Sequence, residues 1–125
     1  MKAGIPAAHA AASSAAEKWS ADSGHGDVAR LDIPADALRE RHFEVFCHLV
    51  VSNKAGRTDA THGMRVLVNG ALEWQRSVPT QTEGQDSLDL RLRRSVPAGQ
   101  PLRVTATCEL RYAQRVHLTI SADED

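Results

Sequence analysis

The chain of 125 residues holds 15 basic and 16 acidic residues, 42% hydrophobic and 4% aromatic residues, and two cysteines. That length suits one domain, and the hydrophobic fraction excludes an intrinsically disordered chain. A formal charge of -1 excludes a generic polyanion binder, no apolar run approaches the roughly 18 residues of a membrane helix, and two thiols are too few for a disulfide-dense scaffold or a four-thiolate zinc site.

Nine of the first 26 residues are alanine, and large apolar side chains are almost absent apart from Ile5 and Trp19. Such a segment buries too little surface to offset its ordering entropy, so residues 1–26 are expected to form a loosely ordered tail. The alternative is a short helix over residues 14–21, where Ser14 and Glu17 have the spacing of a capping box. Lys2 and the small residues resemble an export signal, but Pro6, His9, Ser13 and Ser14 break its apolar region. Residues 27–125 form the expected domain.

From Val28 the apolar period becomes two. Val28, Leu31 and Ile33 predict a short first strand ending at Pro34, followed by one helical turn over residues 35–41. Phe43, Val45, Cys47, Leu49 and Val51 alternate with Glu44, Phe46, His48, Val50 and Ser52, which predicts a strand with one apolar face and one mixed face. After a polar loop at 53–63, Met64, Val66 and Val68 lead to Asn69 and Gly70, and Leu72, Trp74, Arg76 and Val78 continue beyond. Asn-Gly suits the positive backbone angles of a type I′ hairpin turn. A second polar loop, 80–86, precedes three further strands: Leu88 to Leu92, Leu102 to Leu110, and Val116 to Ile120. Each has one apolar and one wet phase.

These features predict an all-β fold, a seven-stranded antiparallel β-sandwich. Leu90, Leu92, Pro97, Gly99, Val104 and Ala106 carry a resemblance. Residues 87–109 are similar to the second half of immunoglobulin-like and fibronectin type III domains, where a Leu-x-Leu strand meets a Pro-Gly corner and a Val-x-Ala strand. The resemblance implies an immunoglobulin-like sandwich. Cys47 and Cys108 fall on the strands that carry that family's inter-sheet pair, whereas Leu102 stands near the usual corner tyrosine and Trp74 follows the family's tryptophan position.

Both cysteines occupy apolar phases. Read as two buried thiols, they favour a cytoplasmic protein; joined in a disulfide, they would indicate a periplasmic or secreted one. Of six histidines, His25, His42, His48 and His62 are the candidates for a zinc or copper site, although no His-x-His or Cys-x-x-Cys spacing supports it. Six arginines against three acids lie between Asp86 and His117. By strand phase, Arg103, Arg111, Arg115 and His117 are expected on one outward face, and with His48 and His62 they are the candidate partner-binding residues. The few aromatics argue against nucleic acid and sugars. No nucleophile elbow, phosphate loop or dinucleotide fingerprint is present. The expected function is a non-catalytic binding or assembly module without cofactor, joining a protein partner or a second copy through loops 53–63 and 80–86 and the histidine-bearing face. A metal-binding sandwich is the alternative, and a small hydrolase the distant third.

Overall fold

Alternation at period two gives each strand one face to bury, and two sheets bury these faces against each other. The computed structural model describes residues 15–125. It contains β1 (Lys18–Asp22), β2 (Val28–Ile33), β3 (Arg41–Ser52), β4 (Thr61–Val68), β5 (Ala71–Pro79), β6 (Gln85–Val96), β7 (Leu102–Arg111) and β8 (Gln114–Glu124). One sheet has the order β1-β8-β3-β6 and the other β2-β7-β4-β5, with every neighbouring pair antiparallel.

The core lies between the sheets. Phe43, Val45, Cys47, Leu49 and Val51 of β3 meet Met64 and Val66 of β4, Val104 and Ala106 of β7, and Leu118 and Ile120 of β8; all are fully enclosed. Each buried Val, Leu, Ile, Met or Phe contributes roughly 1.5–3 kcal/mol against the chain's conformational entropy. The Asn69-Gly70 turn takes the expected positive φ values, 49° and 84°.

Four expectations are corrected. The sandwich has eight strands rather than seven, because Lys18–Asp22 pairs with β8 in the stretch assigned to a tail or helix. No helix occurs among the described residues, so neither the helix at 14–21 nor the turn at 35–41 forms there; residues 1–14 lie outside the described part. Leu72 points outward at 59% exposure, because an extra residue at Glu73 bulges β5 and breaks its phase with Trp74. The last two strands belong to different sheets: the chain crosses over at Tyr112, whose φ of 59° turns it out of β7 and into β8.

A charged cluster holds β1 in place. Arg39 bonds Glu124 and Glu17, the latter at 2.8 Å, while the enclosed Arg41 donates to Glu17 Oε1 and to the Pro34 carbonyl, each at 2.9 Å. Trp19 Nε1 donates to the same Glu17 carboxylate at 2.9 Å. These contacts tie β1, the β2–β3 connection and the end of β8 together. The Arg39 bond holds the Glu124 carboxyl down at about 2, against an ordinary 4.5.

Two outcomes follow. A depressed carboxyl contributes stability that is complete above its unfolded value and lost as pH falls through its folded one. Urea midpoints of wild type should therefore drop between pH 4.5 and about 2, with a smaller drop in Glu124→Gln. Gly63 lies where β4 and β5 approach closely, and an added Cβ would meet the Arg76 carbonyl oxygen at 2.9 Å and Ser77 Cβ at 3.2 Å. Gly63→Ala should cost about 1–3 kcal/mol in a urea titration.

Candidate functional site

The phase that buries one side of β3 presents His42, Glu44, Phe46 and His48 on the other. Pairing on both sides fixes their neighbours: Phe46 lies opposite Arg91 and Ser121, His48 opposite Asp89 and Thr119, and Val50 opposite His117. The Phe46 and His48 rings stack with centroids 5.3 Å apart and planes 22° apart. His117 follows, its centroid 5.3 Å from that of His48. The Arg91 guanidinium covers the Phe46 ring at 4.1 Å, a contact worth about 0.5–1 kcal/mol at an exposed site. His48 Nδ1 lies 2.5 Å from Asp89 Oδ1, which fixes the imidazole plane. Glu44 pairs with Arg91 at 3.5 Å and Arg93 at 3.6 Å. An aromatic, a guanidinium and two imidazoles thus share one ordered patch on a polar face.

The two expected loops meet beside this patch. Buried Asn53 donates from Nδ2 to the carbonyls of Arg57 at 2.8 Å and Gln81 at 3.2 Å, and its Oδ1 accepts from the Arg57 amide at 3.0 Å. Thr80 N donates to the Ala60 carbonyl at 2.9 Å. Between the loops lies a cleft of about 530 Å3 lined by Ser52, Asn53, Lys54, Gly56, Thr82 and Gln85. Ser52 and Gln85 pair at the end of the same sheet that carries His117. Nearby, Arg57 lies 3.5 Å from the Tyr112 ring centroid while held by both oxygens of Asp59. That bond keeps the Asp59 carboxyl below the usual carboxylate range.

The other expected residues do not join the patch. His62 is enclosed beneath the loops: Thr80 Oγ1 lies 2.7 Å from Nδ1, and Nε2 donates over 3.4 Å to the Ser87 carbonyl. It supports the loops from inside. Arg103 projects from the other sheet and donates to Asp32 at 2.6 Å; Arg111 lies beside Tyr112; Arg115 turns inward to Asp27 at 2.7 Å. The expected single face of Arg103, Arg111, Arg115 and His117 is therefore divided between two sheets. His25 lies in the β1–β2 turn, His42 bonds Ser95 Oγ at 2.9 Å, and His48 is six residues further along β3, roughly 20 Å away at the rise of a strand. With His62 interior, these four imidazoles do not converge on one ion, and the described residues hold no cluster of three or more metal-ligating side chains.

Sequence reasoning left out Phe46, Asp89 and Arg91. The signal was Phe46 interrupting the polar phase of β3; its partners required the β3–β6 register. A larger groove of about 880 Å3 lies on the opposite sheet under the Asn69-Gly70 turn. Its Arg30 and Arg103 both donate to Asp32, at 3.1 and 2.6 Å, so part of its charge is already paired within the sheet.

No protein-family model matches the chain, and no curated protein matches it. Among solved structures, it aligns with dimeric latent PorU from Porphyromonas gingivalis at a TM-score of 0.51 and 11% identity, over 88% of this chain and 13% of that one. The fold is an all-β sandwich of two four-stranded antiparallel sheets. Lower likenesses are to a family 35 carbohydrate binding module from an environmental isolate, with TM-score 0.42 and 13% identity, and to CBM35 from Cellvibrio japonicus Abf62, with 0.40 and 16%. They cover 78% and 77% of this chain, and this chain spans 65% of each module.

Cys47 and Cys108 are buried free thiols on opposite sheets. Burial pushes the Cys47 thiol up to about 12, and burial with the neighbouring Asp27 pushes Cys108 up to about 11. Iodoacetamide at neutral pH should modify both only after unfolding, as mass spectrometry with and without urea would show. Rapid labelling of the folded protein would contradict the enclosed core. His62→Ala removes a buried ring and strands Thr80 Oγ1, and should cost about 2–4 kcal/mol in thermal unfolding.

Proposed function

We propose that the protein is a non-catalytic binding or assembly module that engages a protein partner through the outer face of the β1-β8-β3-β6 sheet. The observation that carries this reading is the ordered row of Arg91, Phe46, His48 and His117 on that face. Aromatic and arginine side chains dominate the energetics of protein interfaces, because they bury much surface at little conformational cost. Here they are ordered before binding, which lowers the entropy lost on association. The surrounding charges are paired within the sheet, so a partner meets few bare ions that it must desolvate. The loop cleft at residues 52–56 and 82–85 extends the same surface and supplies backbone groups for a more specific contact.

This reading needs no cofactor, and it proposes that tag-free protein carries no stoichiometric zinc or copper. Two reduced, buried thiols fit work in a reducing compartment such as the cytoplasm.

The test is quantitative co-purification from the native lysate with wild type, Phe46→Glu and Arg103→Glu, each checked for an unchanged melting temperature. Phe46→Glu should lose the captured partner by roughly tenfold or more, as hot-spot truncations do, while Arg103→Glu on the opposite sheet should retain it. Equal retention by both variants would overturn the assignment of the face.

A further inference from the structure

The sheet that carries the patch ends in β6, a strand of 12 residues, and among the described residues nothing pairs with its outer edge. Exposed strand edges are templates for further pairing, and natural proteins usually block them with unpaired charge. In β6 the charges have a different pattern. Opposed residues in an antiparallel pair share a face, so two copies of one strand can pair only with a residue facing itself at the centre. Centred on Leu90, the sequence Gln85–Val96 is self-complementary: Asp89 meets Arg91, Asp86 meets Arg94, Leu88 meets Leu92, Leu90 meets Leu90, and Ser87 meets Arg93. The two-fold axis duplicates each mixed pair, which gives four Asp–Arg pairs without a like-charge pair among them. The adjacent registers lack this property. Centring on Asp89 sets Asp89 against itself, and centring on Arg91 sets Arg91 against itself.

A second observation supports the edge. Inward residues of the central strands are fully enclosed, but Leu90 and Leu92 of β6 and Trp74 and Val78 of β5 remain half-buried along the side where both sheets end. A copy paired to β6 would cover this strip, adding apolar burial to the backbone bonds.

We propose that two copies of this chain join antiparallel through β6 about a two-fold axis at Leu90, forming one continuous eight-stranded sheet with both Phe46–His48–His117 patches on the same face. This extends the assembly reading to a second copy of the chain. The tests keep the two apart, since light scattering reports on the edge and co-purification on the face.

Light scattering on the full chain at its highest attainable concentration should give twice the 13.6 kDa chain mass. Asp89→Arg opposes two arginines across the axis and should weaken association by roughly tenfold or more, whereas combining it with Arg91→Asp restores opposite charge and should restore the dimer. A second measurement leaves the core untouched: Ser87→Cys protein mixed with Arg93→Cys protein should form a mixed disulfide under mild oxidation, while each variant alone stays uncrosslinked, because its own thiols lie roughly 20 Å apart across the axis. A monomeric wild type would overturn the proposal. So would a dimer indifferent to both charge changes and forming no mixed disulfide.

Discussion

The rest of the molecule depends on the two-sided pairing of β3. Its register with β6 runs unbroken from Arg41 opposite Val96 to Ser52 opposite Gln85, and its register with β8 runs from Phe43 opposite Glu124 to Ser52 opposite Gln114. A slip of one residue on either side would exchange every inward and outward side chain. Phe43, Val45, Cys47, Leu49 and Val51 would leave the core, and Phe46 and His48 would enter it. The same alternation therefore builds the hydrophobic interior and the aromatic patch, so neither can shift without the other. A single bulge on β8, where Val50 meets His117 and Val51 meets Arg115, leaves Val116 as the extra residue. It lets Arg115 turn inward to Asp27 while His117 stays beside His48.

Much of this was legible because it is local. The phases of β3, β4, β6 and β7 follow from apolar residues two apart, and the Asn69-Gly70 hairpin from the one dipeptide suited to positive φ at both positions. What escaped depends on long-range partners. Lys18–Asp22 has no apolar alternation strong enough to mark a strand, and becomes one because β8 lies beside it and Arg39 and Arg41 hold Glu17. Phase alone placed Arg103 and His117 on one face, since it cannot tell that the chain changes sheets at Tyr112. His62 reads as a loop histidine, yet it is the second residue of β4, in the buried phase, where Thr80 and Ser87 supply its bonds.

The site joins features separated widely in sequence. Phe46 and His48 come from a central strand, Asp89 and Arg91 from an edge strand, and His117 from the last strand, with the Asn53-centred loops closing one end. Asp89 and Arg91 belong to both the patch and the β6 edge. The proposed face contact and the proposed edge contact therefore share these two side chains, and a substitution at either would be expected to alter both.

Residue-resolved amide hydrogen exchange tests the dependence on β3 most directly. If β3 is the strand on which both sheet pairing and core rest, its amides from Phe43 to Val51 exchange only through global unfolding and are the slowest in the chain. Exchange of β3 at the pace of β1, through local opening, would contradict the account.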